Sequence, residues 1–240
     1  MQNVCTMGDI IDLSHAGLHE QAATRLRNML VEGRIAPGAK LNERELAEAL
    51  HISRTPLREA IKMLASEGLV DLLPNRGAVA VKLTEADVVH SFELLAELEG
   101  LAGELAAQRI TDAARRELRA KHYEMLACHA RGDLSGYYRL NALIHAGIGQ
   151  AAANPVLAAT YRQVNARVQS LRFRTNQNAA KWQRAMQEHT QMMEALDARE
   201  GTALRQILKT HLEHKRDTVL ELMRAGPLHH ELHDLREQQA

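Results

Sequence analysis

The sequence predicts a mainly α protein: a small N-terminal unit of three helices closed by a β-hairpin, then an all-α antiparallel bundle of six helices. Three observations carry this expectation. Apolar residues recur at helical spacing through most of the 240 residues. Period-two apolar segments stand out at only two places, 69–73 and 78–81. Helical stretches open on Ser, Thr, Asp or Asn, the residues that cap free backbone N–H groups.

The elements follow in order. Residues 1–14 read as a flexible arm. Leu18, Ala22, Leu26 and Met29/Leu30 form the apolar stripe of a first helix, with Gly33 as its C-terminal stop. Arg34 to Gly38 make a turn. A short helix spans 42–51, with Asn42 as cap and Glu45 three residues on. Ser53 caps a third helix reaching Glu67, with Pro56 in its first turn and Gly68 ending it. The hairpin turns at Pro74 to Gly77. The bundle helices are expected at 84–108, 111–131, 133–152, 154–176, 179–199 and 202–224. The domains expected are therefore 15–83 and 84–225, followed by a flexible, His-rich tail at 226–240.

Composition narrows the classes. No apolar run approaches the ~18–20 residues of a membrane span. Met1 to Ser14 lack the basic-then-apolar layout of a secretory signal. Cys5 and Cys128 are the two cysteines and lie far apart, which argues against a disulfide framework or a Cys-based zinc finger and points to a cytoplasmic protein. Thirty basic and thirty acidic residues cancel, so a nucleic-acid surface must come from local arrangement.

Such an arrangement exists in the third helix. Arg54, Arg58 and Lys62 stand four apart on one face, while Leu57, Ile61 and Leu64 share the inward face. Taken alone, a basic stripe is ordinarily a solvated helix face. Residues 15–83 carry ten Lys/Arg against eight Asp/Glu, so bulk charge does not decide the matter. A short helix and tight turn before it give the shape of a helix-turn-helix reader, whose leading residues Ser53, Arg54 and Thr55 would meet base edges in the major groove. An Arg fork spans two acceptors on guanine. Arg44 would reach a base or phosphate from the preceding helix. The hairpin tip, with Asn75, Arg76 and Gly77, would act as a wing.

These segments resemble a known family. Leu41-Asn-Glu-Arg-Glu-Leu-Ala47, Ile52-Ser-Arg-Thr-Pro-Leu-Arg-Glu-Ala60, Glu67-Gly-Leu-Val70 and Pro74-Asn-Arg-Gly77 are similar to the winged helix-turn-helix of GntR-type bacterial transcription regulators. The resemblance implies operator contacts from Arg44, Arg54 and Arg58, with Gly77 as the wing glycine.

In the bundle, Asn141 and His145 share a helix face, and His189 and His211 lie midway along two further helices. Three imidazoles and an oxygen donor suit a divalent transition metal. From spacing alone, ordinary core or surface histidines are the default in a chain with thirteen His. Resemblance again adds to this. Glu99-Gly-Leu-Ala102, Asn141-Ala-Leu-Ile-His145, Ala152-Ala-Asn-Pro-Val156, Glu188-His189 and His211-Leu212 look like the FCD ligand-binding domain of the FadR-like branch. That likeness implies a metal, zinc or nickel, held by Asn141, His145, His189 and His211, and a small carboxylate effector bound with its help. Three departures stand out. Asn141 replaces the commoner Asp, Ile144 stands where an aromatic is usual, and Leu95 stands where many relatives carry an Arg able to touch the effector.

Other groups read as structural. Trp182, Tyr137 and Tyr138 are expected to pack, as are Met186, Met192 and Met193. His214, three residues after His211, could stand behind the site but is expected on the surface, and Glu188, though adjacent to His189 in sequence, is expected to point elsewhere. Nothing in the sequence selects Arg172 or Arg174. The function expected is a homodimeric repressor of operator DNA controlled by an organic acid, with no membrane partner. A metal-dependent hydrolase built on the three His, and an architectural DNA binder with no effector, are the alternatives.

Overall fold

The computed structural model describes residues 17–74, 76–174 and 179–225. The expectations for the N-terminal arm, the tail, Cys5, Asn75 and the end of the fourth bundle helix lie outside those residues. The described residues form a winged helix-turn-helix followed by an all-helical C-terminal region.

Helix α1 is Leu18–Val31, ended by Gly33 at φ 76°. Strand β1 is Lys40–Leu41, helix α2 Glu43–Leu50 and helix α3 Arg54–Ser66. Strands β2 (Val70–Leu73) and β3 (Gly77–Ala80) form the hairpin. The sheet order is β1-β3-β2, antiparallel throughout, with Leu72 opposite Ala78 and Leu41 also opposite Ala78. Strand β1 is an addition to the expected pair. Leu26, Leu57 and Leu64 lie wholly buried at the centre of this unit.

The bundle helices are α4 (Glu85–Arg109), α5 (Asp112–Ala130), α6 (Leu134–Ala151), α7 (Pro155–Arg174), α8 (Ala179–Asp197) and α9 (Gly201–Arg224). Local caps fix four of their starts. Thr84 Oγ1 accepts from Asp87 N at 3.1 Å while Asp87 returns a bond to Thr84 N at 2.9 Å. Thr111, Asp133 and Asn154 accept from Ala114, Gly136 and Leu157 N–H groups at 3.2, 2.9 and 3.1 Å.

Two expected caps differ. Helix α9 begins at Gly201, one residue before the expected Thr202. Ser53 does occupy the N-cap of α3, but its side chain makes no capping bond. Pro56 sits at the third helical position and has no N–H to give, which removes one of the two donors an N-cap side chain can use.

Helix α4 packs most extensively on α9, and Gly103 permits the approach because a Cβ there would collide with Leu208. Helix α7 faces two ways. Ala166 packs against the core of the winged unit, and the Arg167 methylenes lie 3.3 Å from where a Cβ on Gly68 would stand. Met186, Met192 and Met193 are buried in the bundle core, as expected.

Candidate nucleic-acid interface and metal centre

Helix α2 places Arg44 and helix α3 places Ser53, Arg54, Thr55, Arg58 and Lys62, all exposed on one end of the molecule. Asn42 starts α2 by accepting from the N–H groups of Arg44 and Glu45 at 3.1 and 3.5 Å. The chain then turns through His51 in the left-handed region (φ 55°, ψ 44°). Arg44, Ser53 and Arg54 border one shallow concavity with His51. Among the described residues, the side chains of Arg44 and Arg54 make no hydrogen bond or ion pair. Arg58 donates from Nε to Glu43 Oε2 at 2.8 Å, and Lys62 pairs with Glu59 at 2.9 Å. Arg76 and Gly77 (φ 84°) are exposed at the hairpin tip.

In the bundle, α6, α8 and α9 bring His145, His189 and His211 together. Their ring centroids lie 5.2, 5.3 and 5.0 Å apart in pairs. One nitrogen from each falls within 4.8 Å of the others, close enough for a single ion to be shared. The hydrogen bonds fix which nitrogen. His145 Nδ1 donates to Glu99 Oε2 at 3.0 Å, His189 Nδ1 to the Ala185 carbonyl at 2.7 Å, and His211 Nδ1 to Glu188 Oε2 at 2.6 Å. A carboxylate or carbonyl can only accept, so each ring carries its proton on Nδ1 and offers a lone pair at Nε2. The Nε2 atoms of His145 and His189 are buried with no partner. A buried acceptor left this way costs ~1–3 kcal/mol.

The charges agree. Burial holds the His189 pKa well below its ordinary value, with His211 and His145 adding to the effect. Burial also lowers His211, against the pull of Glu188. Both effects disfavour the charged form of His189 and His211.

Asn141 lies one turn before His145 and lines the same cavity of about 280 Å³. Among the described residues, the cationic side chains Arg162, Arg172, Arg184 and Lys215 and the carboxylate Glu188 border that cavity. The sequence reading passed over several members of this site. Glu99 accepts from His145 and from the Tyr161 hydroxyl, with Arg172 Nη1 at 3.7 Å. Arg172 also donates to Tyr161 at 3.2 Å and to Asn165 at 2.5 Å. Leu95 is wholly buried, and the guanidinium groups at the cavity come from α7 (Arg162, Arg172) and α8 (Arg184).

Glu188 turns away from His189, as expected, and it bridges His211 and His214, each at 2.6 Å. His214 is accordingly only part-exposed and tied to the site. Trp182 packs edge-on to Tyr137 at 5.1 Å, as expected, and both also line the cavity.

Residues 18–79 match the family described as bacterial regulatory proteins, gntR family, and residues 90–214, more than half the chain, match the FCD domain. The chain is a GntR-family transcriptional regulator of the FadR-like branch. This GntR regulator is 25% identical to the HTH-type transcriptional repressor RspR of Escherichia coli K12 over 205 residues, covering 85% of this chain and 90% of that one. It is 29% identical to the Nta operon transcriptional regulator of Aminobacter aminovorans over 203 residues, covering 82% and 92%. The solved structure of E. coli McbR/YncC shares its fold at 22% identity and a TM-score of 0.77, covering 86% of this chain and 99% of that one. Family and relatives alike are DNA-binding regulators, which sets the hydrolase alternative aside. No described helix is long and apolar enough to cross a membrane.

Proposed function

We propose that this GntR regulator is a cytoplasmic, homodimeric repressor whose grip on operator DNA is loosened by a small carboxylate. The winged unit, residues 15–83, would read one half-site per subunit through Arg44, Ser53, Arg54, Thr55, Arg58 and Lys62. Arg76 and Gly77 would serve at the wing. The helical unit, residues 84–225, would bind effector and dimerise.

The observation that carries the effector half is the pair of partnerless buried Nε2 atoms, on His145 and His189, in a cluster beside a cation-lined cavity. The donor set fits a divalent transition metal, zinc or nickel, held by Asn141, His145, His189 and His211. When bound, the ion would supply positive charge for a carboxylate. The chain's own residues do the rest. Glu99 and Glu188 orient two of the rings. Arg172 and Asn165 line the cavity. With a neutral Asn141 in place of an acid, the site keeps one more positive charge for an anion.

Dimerisation is supported by an apolar stripe on α4. Leu94, Leu98, Leu101 and Leu105 share one face, and Leu94 and Leu101 are 46% and 37% exposed. Val156 on α7, 74% exposed, follows Ala152 and precedes Leu157, which cluster with that stripe.

The experiment combines three measurements on protein purified without a His tag. Metal content should approach one ion per chain. A panel of small carboxylates should contain acids that raise the melting temperature. Those acids should release DNA recovered by selection from a random duplex pool. Metal-free protein, indifferent to every acid and holding its DNA regardless, would leave the architectural binder as the right reading.

A further inference from the structure

A carboxylate on a surface meant for phosphates works against affinity, yet Glu43 stands in the first turn of α2 beside the basic face of α3. Its Oε2 takes the Arg58 Nε–H at 2.8 Å. This contact engages only the inner edge of the guanidinium. Among the described residues, the two terminal Nη groups of Arg58 make no hydrogen bond, and its side chain is 60% exposed. Those two groups are the fork that a guanine O6/N7 edge requires. A long Arg side chain otherwise samples many rotamers, and fixing it on binding costs entropy. Arg44 and Arg54 have no such tether. Resting on the proposal that α3 reads base edges, we infer that Glu43 is a specificity-determining positioning residue. It aims the Arg58 fork at one base pair and weakens sequence-independent phosphate binding by its own charge.

The simpler role for Glu43 is to favour the N-terminus of α2 through the helix dipole. That role predicts lost stability and no change in sequence discrimination. The two are separated with full-length protein, a duplex recovered by selection from a random pool with the wild type, and a scrambled duplex of the same composition. Glu43→Gln should bind the scrambled duplex more tightly at low salt, with a steeper salt dependence. Its ratio of selected to scrambled affinity should fall roughly fivefold or more, the lower end for a bidentate base contact. In an Arg58→Ala background, Glu43→Gln should cause no further fall in that ratio. Thermal melts confirm that each variant is folded. If Arg58→Ala leaves the ratio unchanged, the base-reading assignment itself is wrong. If Arg58→Ala lowers the ratio but Glu43→Gln does not, or lowers it equally without Arg58, the positioning role alone is overturned.

Discussion

Glu99→Gln is the perturbation that most directly tests the interior of the helical unit. Glu99 and Arg172 are 6% and 8% exposed. Burial pushes the Glu99 carboxyl up, but His145, Arg172 and the Tyr161 hydroxyl outweigh it and hold the pKa well below the usual carboxylate range. The group is therefore ionised at neutral pH. Gln keeps the size and an acceptor but removes the negative charge that faces the buried Arg172 guanidinium. Removing one partner of a buried pair costs ~3–5 kcal/mol. Arg172 keeps Asn165 at 2.5 Å and borders the cavity, which favours the low end, ~3 kcal/mol. At ~3 °C per kcal/mol for a unit of this size, the melting temperature should drop by about 10 °C. The assay is circular dichroism of metal-free protein at pH 7.5. Glu99→Gln combined with Arg172→Met should recover most of the loss, because the cation that the Glu99 charge faced is then gone as well. A Glu99→Gln variant that melts with the wild type, or a double variant no better than the single, would refute this account of the pair.

Further outcomes are expected. Arg54→Ala should weaken selected-duplex binding by ~1–3 kcal/mol with the melting curve unchanged; equal affinity in a gel-shift titration counts against the groove assignment. His189→Ala should lower metal content measured by mass spectrometry, and stoichiometry that survives loss of both His189 and His211 places the ion elsewhere. In metal-free protein, burial keeps His189 neutral while the unfolded chain protonates near pH 6.5, so stability rises with pH through that region and is lost as pH falls below it. The loss should reach at most ~1.4 kcal/mol by pH 5.5, and urea melts of His189→Gln should show a shallower slope than wild type. If the proposed dimer forms through α4, Leu101→Glu should convert it to monomer in sedimentation runs; an unchanged mass removes the α4 stripe from the interface.

What the sequence made legible is what neighbouring residues decide. Thr84, Thr111, Asp133 and Asn154 cap their helices within one turn, so spacing alone located four bundle helices. Strand β1 was not legible, because two residues show no period and their pairing comes from distant β3. Glu99 left a signal that went unused. It falls on the buried stripe of α4 with Phe92, Ala96, Gly103 and Ala106, and a carboxylate at such a position needs partners. Glu188 turns from His189 as expected, but its partners His211 and His214 come from α9 and no spacing near Glu188 reveals them. Nothing local separates Arg172 from Arg162 on the same helix. Only the packing of α7 on α4 brings Glu99 within reach.

That packing also bears on control. Twenty residues of α7 make a rod ~30 Å long. Tyr161, Asn165 and Arg172 meet the cavity, while Ala166 and Arg167, on the turn between, seat the winged unit. The covalent route between the two units is residues 81–84, which run straight into α4, the helix that supplies Glu99. An anion competing with Glu99 for Arg172 would thus load both connections at once, α7 directly and α4 through the partner it lost. Bias on two rigid helices needs no disordered hinge. In the proposed dimer, a shift of α7 by a fraction of a turn would change how the α3 arginines of two subunits are spaced, and a two-fold operator would be sensitive to that spacing.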